Sequence, residues 1–188
     1  MRATRVLRTI PVTRPYAASG DNRLFMNLDY FFPEQTPLYS PSVFNFYQPG
    51  FSNPGPIARA GLLSPEFQVF SETTAIRQAN FFMGSLTWGF WTSEPEELGG
   101  NHLDYNYASY VALLNTPGKT PAQAQAMLID YLNNRLLFGA MSPGLRTDIV
   151  AAYAALPGWF DYSDNSQKQR VAMAVYLIVN SPEFFVQK

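Results

Sequence analysis

The sequence predicts an all-α protein, a single domain of about six helices arranged around a central buried helix at 65–90. Three observations support this class. Apolar residues make up 47% of the 188 residues and charged residues only 14%, which indicates a packed core rather than a disordered chain. Ser-Pro and Thr-Pro pairs precede several segments, and such pairs are typical of helix starts. Apolar residues in those segments recur every three or four positions, as on one face of a helix.

The first 64 residues are predicted to hold two short helices followed by a long loop. Residues 2–10 and 22–32 have helical spacing of apolar residues, and prolines and a glycine separate the two segments. The segment 33–64 contains six prolines, which confine the backbone to extended or turn conformations. Four closely spaced aromatic residues between 44 and 51 argue against disorder in this segment. We therefore expect a proline-rich loop that packs across the central helix.

The segment 65–90 is predicted to form the central helix. Ser64-Pro65-Glu66 has the features of a helix start: a serine N-cap, a proline at the first helical position and an acid near the positive end of the helix dipole. Two apolar strips then run along the segment, which predicts burial over most of its circumference. The first strip consists of Ala75, Ala79, Phe82, Leu86 and Phe90.

Four further helices are predicted in the second half of the chain. The first is short and spans 105–114, before Pro117. Thr120-Pro121-Ala122-Gln123 matches a capping box, and the helix that it opens stops at Gly139. Ser142-Pro143 starts the next helix, which ends near 156. The last helix runs from about 164 to 180, with an inward face of Val171, Ala174, Val175 and Ile178.

Composition and charge argue against several classes of function. The net charge of −1 offers no general attraction for nucleic acid, and no segment reaches the 18 apolar residues of a membrane-spanning helix. The chain contains no cysteine and one histidine, so thiolate sites and sites with several histidines cannot form within it. An oxygen-rich segment at 161–165 is better explained as the N-cap of the last helix than as a calcium site. We therefore predict no metal and no cofactor.

The segment 88–110 carries the densest set of chemically useful side chains. Sugars bind to aromatic faces and to carboxylates that accept hydrogen bonds from hydroxyl groups, so this segment is the candidate site. An alternative is that its glutamates form a solvated loop while its aromatic residues anchor that loop to the core. The candidate ligand-binding residues are Trp88, Trp91, His102, Tyr105 and Tyr107. The candidate catalytic carboxylates are Glu94, Glu97 and Asp104.

Three segments resemble the C-terminal part of the bacterial family called domain of unknown function 1800. They are Pro41-Ser42-Val43-Phe44-Asn45-Phe46-Tyr47, Ser64-Pro65-Glu66-Phe67-Gln68-Val69, and the stretch from Arg170-Val171-Ala172 to Ser181-Pro182-Glu183-Phe184. The resemblance implies that residues 1–188 correspond to the C-terminal portion of a longer, exported or cell-surface protein with a helical region upstream. A signal peptide is not visible in this chain, and the resemblance assigns no catalytic residue.

Three functions are consistent with these features. The first is a glycan- or partner-binding accessory domain of an exported protein. The second is a carboxylate-dependent glycoside hydrolase, which would need two carboxylates facing each other across a cleft. The third is a structural fragment whose apolar face was meant for upstream helices, and which therefore self-associates as a homo-oligomer. Whether the protein is an enzyme stays open at this point.

Overall fold

The computed structural model of the protein describes residues 2–13, 38–43, 45–69, 71–91, 102–155 and 166–185, and the described part is mainly helical. The prediction of an all-α fold is confirmed. Besides a short 3-10 helix at Pro65–Val69, the α-helices are α1 (Arg2–Thr9), α2 (Pro56–Arg59), α3 (Glu72–Trp88), α4 (Ala108–Leu114), α5 (Pro121–Leu136), α6 (Pro143–Ala155), α7 (Ser166–Val179) and α8 (Pro182–Phe185). None of the described helices is long and apolar enough to cross a membrane.

The backbone divides into two compact units, one made of residues 1–22 and 82–188 and the other of 23–81. In the first unit, α7 packs against α4, α5, α6 and α8. The predicted inward face of α7 is confirmed, since Val171, Val175 and Ile178 are fully buried. Helix α7, rather than the segment 65–90, is therefore the centre of packing in this unit. That the whole chain is one domain of a longer protein stays a prediction.

The prediction of one continuous helix at 65–90 is wrong at both ends. The chain forms a 3-10 turn after Ser64, and α3 starts only at Glu72. A second cap explains the restart, because Ser71 Oγ accepts a hydrogen bond from the backbone N–H of Thr74 at 3.2 Å. Ser64 Oγ instead accepts from the backbone N–H of Asn53 at 2.8 Å, so this serine holds the preceding loop.

Burial along α3 also differs from the prediction. Phe82 and Leu86 are buried, whereas Ile76 is 62% exposed. Apolar burial along α3 is therefore concentrated in its C-terminal half, and neither predicted strip is buried along its whole length. The helix ends at Trp88, and Gly89 follows with a left-handed φ of 73°.

The described part of the proline-rich loop is held by hydrogen bonds within the loop and by one to the 3-10 helix that follows it. Gln68 Oε1 accepts from the backbone N–H of Gln48 at 2.7 Å, and Ser52 Oγ donates to the carbonyl of Leu62 at 2.7 Å. With the Ser64 contact, these bonds fix the loop against the 3-10 turn. Ser64 and Gln68, which lie at the predicted start of the central helix, thus also hold the proline-rich loop.

The structure contains a small antiparallel sheet that the sequence analysis did not predict. Its strands are β1 (Val12–Thr13), β2 (Phe90–Trp91) and β3 (His102–Tyr105), in the order β1-β3-β2. The predicted helix at 105–114 begins three residues later, at Ala108. Side chains alternate along β3 as strand geometry requires, so Leu103 and Tyr105 are buried while His102 and Asp104 lie on the other face.

The predicted start and stop of the helix after Thr120, which is α5, are confirmed. Thr120 and Gln123 form both hydrogen bonds of the capping box at the start of α5. Gly139 adopts a left-handed φ of 82° after the end of this helix, and its N–H donates to the carbonyl of Asn133.

Candidate functional site

The turn that follows α3 brings Trp88 next to strand β3. Phe90 pairs with Leu103 and Trp91 pairs with His102, so β2 runs back along β3. The imidazole of His102 then contacts the end of α3, with Nε2 at 3.1 Å from the carbonyl oxygen of Trp88. Because a carbonyl oxygen only accepts hydrogen bonds, Nε2 must carry the proton in this contact. The only histidine of the chain therefore fixes the backbone of the exposed tryptophan.

Gly89 makes this turn possible for two reasons. Its φ of 73° lies in the left-handed region, which residues other than glycine rarely adopt. In addition, a Cβ atom at this position would collide with Asp104 Oδ1 and with the carbonyl oxygen of Leu103, and would lie 2.8 Å from His102 Cε1. Strand β3 thus packs directly against the backbone of the turn.

His102 and Asp104 form a partly exposed pair on the outer face of β3. The distance from His102 Nδ1 to Asp104 Oδ1 is 3.4 Å, and the two side chains are 13% and 45% exposed. A contact with this exposure adds little to stability, because solvent competes for and screens both groups. Its main effect is to orient the imidazole ring and the carboxylate beside the end of α3.

Trp88 is 72% exposed, although it belongs to a helix whose previous turn is buried. Exposing so large an apolar ring is unfavourable in water, whereas an indole with a polar edge suits an interface. Trp88, His102 and Asp104 together form what we call the Trp88 patch. The Asp104 carboxylate lies against Gly89, and consecutive Cα atoms are about 3.8 Å apart, so this carboxylate is close to the Trp88 backbone.

The two candidate tyrosines lie below the patch, in the core. Tyr105 and Tyr107 are both buried, with their ring centroids 6.1 Å apart in a stacked arrangement. The hydroxyl of Tyr107 donates to the carbonyl of Leu86 at 2.8 Å. Burial raises the pKa of both phenols well above the usual range, and neighbouring Tyr105, Tyr110 and Asp104 raise that of Tyr107 further. Their positions fit a supporting role for the turn and the strand above them.

Two further tyrosines, Tyr110 and Tyr131, extend the contacts of this pair into the helical core. Tyr110 packs edge-on against Tyr107 at 6.4 Å and against Tyr131 at 5.5 Å between ring centroids. Its hydroxyl donates to the carbonyl of Thr9 at 3.0 Å, which connects α4 to the end of α1. This aromatic row links the patch to α4 and α5.

The remaining candidate residues are placed only in part. Trp91 lies in β2 opposite His102. Glu94 and Glu97 lie outside the described residues, so their roles as catalytic carboxylates stay predictions, as do the other site assignments. Within the part of the chain that the structure describes, no three histidine or acidic side chains group as metal ligands do. Gly89 was missed by sequence reasoning, although a glycine directly after an apolar helix is a recognisable stop signal.

Comparison with known proteins gives a family and no activity. The model of the family described as "Protein of unknown function (DUF1800)" matches residues 11–186. The chain belongs to the DUF1800 family. The match includes every residue of the Trp88 patch of this DUF1800 protein. No curated protein and no solved structure matches the chain, so the function has to be inferred from the patch itself.

Proposed function

We propose that this DUF1800 protein is a glycan-binding module, in which a sugar ring stacks on the exposed indole of Trp88. The observation that carries the proposal is the 72% exposure of a tryptophan whose backbone is fixed by His102. Sugar rings have apolar C–H faces that pack on aromatic rings, and a tryptophan offers the largest such surface.

The rigid support of the ring favours binding. Trp88 ends a 17-residue helix, and the left-handed turn at Gly89 and the β2–β3 pairing fix the chain that follows. A platform whose backbone is already ordered loses little conformational entropy when a ligand binds. The ring is therefore available at a lower entropic cost than an aromatic side chain on a mobile loop.

Asp104 supplies the polar part of the proposed site. Its carboxylate is 45% exposed, and a carboxylate has about four acceptor positions, so contact with His102 leaves capacity for further hydrogen bonds. Sugar hydroxyl groups are donors that such a carboxylate binds. The backbone next to Trp88 lies close to this acceptor, and an aromatic face with one acceptor is a minimal arrangement for carbohydrate recognition.

Isothermal titration calorimetry with defined hexasaccharides tests the proposal. The probes are the hexamers of glucosamine, N-acetylglucosamine, glucose with β-1,4 linkage, and xylose. Trp88→Ala should weaken the binding of any hexamer that binds by at least tenfold. The matched control is Tyr39→Ala, which removes an exposed aromatic ring, 78% exposed, from the other compact unit. It should leave the affinity unchanged. Absence of binding by all four hexamers, or equal affinity of Trp88→Ala and the natural protein, would contradict the proposal.

The same samples distinguish glycan binding from the two other hypotheses, glycoside hydrolysis and self-association. A hydrolase would shorten a hexamer during the titration, and Glu94→Gln or Glu97→Gln would stop it. A self-associating fragment would form dimers in light scattering whether or not a hexamer is present.

A further inference from the structure

The polar groups of the Trp88 patch indicate which sugars it can accept, and this inference rests on the proposed glycan-binding function. His102 directs Nε2 to the Trp88 carbonyl and Nδ1 to Asp104 Oδ1. Both ring nitrogens thus face the protein rather than solvent, and Nδ1 is buried. The acceptor of the patch that faces solvent is the Asp104 carboxylate, which only accepts hydrogen bonds. A ligand must therefore bring donors to this point.

Charge narrows the class of ligand further. From residue 78 to residue 118 the chain has no lysine or arginine, while it has four acidic residues, of which Asp104 is the one that the structure describes. The exposed carboxylate of Asp104 repels glycans that carry carboxylate or sulfate groups. The face of an indole ring is negative as well, and it attracts cations more strongly than the rings of tyrosine or phenylalanine do.

An ammonium group satisfies both parts of the patch. It donates up to three hydrogen bonds, it pairs with a carboxylate, and it is attracted to an indole face. We propose that the Trp88 patch binds an amine-bearing glycan, with a protonated glucosamine residue on Trp88 and its ammonium group at Asp104. Acetylation of the amine removes the charge and leaves the sugar ring to stack alone.

Calorimetry at pH 6.5 with three hexamers tests this assignment. The probes are glucosamine hexamer, N-acetylglucosamine hexamer and galacturonic acid hexamer. The glucosamine hexamer should bind at least tenfold more tightly than the acetylated hexamer, and the acidic hexamer should bind most weakly. Since the preference is electrostatic, 0.5 M NaCl should reduce it severalfold. That salt dependence tests the assignment on the unaltered protein.

Two isosteric variants locate the charge. Asp104→Asn should bring the affinities for the glucosamine and acetylated hexamers to within about twofold of each other. Asp148→Asn removes an exposed carboxylate from α6, and it should keep the preference. Circular dichroism of both variants checks that they are folded.

The outcomes distinguish this assignment from the proposed function. If the acetylated hexamer binds as tightly as the glucosamine hexamer, the assignment is overturned and glycan binding stands. If Asp104→Asn keeps the full preference, the ammonium is bound elsewhere and the assignment is likewise overturned. If no hexamer binds, both proposals fail. Tighter binding of a hexalysine peptide than of glucosamine hexamer, lost in Trp88→Ala, would replace the sugar with a basic peptide.

Discussion

Replacing Gly89 by alanine tests whether the turn after α3 is as tightly packed as the structure indicates. A residue with a Cβ atom at a φ of 73° costs about 1–2 kcal/mol. The new Cβ atom would also collide with the Leu103 carbonyl and the Asp104 carboxylate, and relief of such overpacking typically costs a further 1–3 kcal/mol. We therefore expect Gly89→Ala to lower the free energy of unfolding by about 3 kcal/mol.

Gly118→Ala is the matched control, because the two glycines have nearly the same left-handed φ and differ in their surroundings. Gly118 has a φ of 75°, and a Cβ atom there would have no neighbour within 4 Å. Its replacement should cost about 1 kcal/mol, which is the conformational part alone. The difference of about 2 kcal/mol between the variants measures the collision with β3.

Urea unfolding followed by circular dichroism measures both variants. A shift of the midpoint that is clearly larger for Gly89→Ala than for Gly118→Ala supports the packing described here. Equal shifts would refute it, because they would show that strand β3 does not lie against the turn. Since Asp104 and the Trp88 backbone meet at this glycine, Gly89→Ala should also weaken hexamer binding, whereas Gly118→Ala should not.

Other predictions concern the support of the patch and the helical core. Arg5 stacks on the ring of Phe184 and donates to the carbonyl of Leu136, so Arg5→Met should cost about 2–4 kcal/mol in urea unfolding. Arg8→Met, on the same helix and exposed, should stay within about 0.5 kcal/mol of the natural protein. Burial raises the pKa of Tyr105 and Tyr107, so the stability that these phenols contribute is full below pH ~10 and is lost above it, by up to about 1.4 kcal/mol per pH unit for each phenol; an unfolding midpoint equal at pH 9 and pH 11 would contradict this. Thr120→Ala removes the N-cap of α5 and should cost about 1 kcal/mol, and an unchanged midpoint would mean that the cap is dispensable.

Local signals in the sequence predicted the helices of the C-terminal half. The capping box at Thr120 and the stop at Gly139 depend on residues a few positions apart, so a single segment contains all the information that they need. The face of α7 follows from its apolar spacing in the same way. The error at 65–90 arose because the sequence offers two N-cap residues for one helix. Ser64 and Ser71 both have the chemistry of an N-cap, and only the tertiary contacts decide which of them starts the helix.

The sheet and the environment of the candidate site could not be predicted in this way. Strand β1 pairs Val12 with Tyr105, which is a contact between distant parts of the chain. A strand of two residues is too short to show the alternating pattern from which strands are predicted. The sequence indicated that aromatic and acidic residues are concentrated around Trp88 and His102. It could not separate the exposed tryptophan from the buried tyrosines, because both residue types are amphipathic and are found at surfaces and in cores alike.

The indole N–H signal of Trp88 in a two-dimensional ¹H–¹⁵N spectrum is the most direct test of the proposed binding platform. Trp88→Phe assigns the signal, since it removes one of three indole resonances. Titration with glucosamine hexamer should move this resonance progressively until the protein is saturated. A hexamer that binds in calorimetry and leaves the Trp88 indole signal in place would contradict the account.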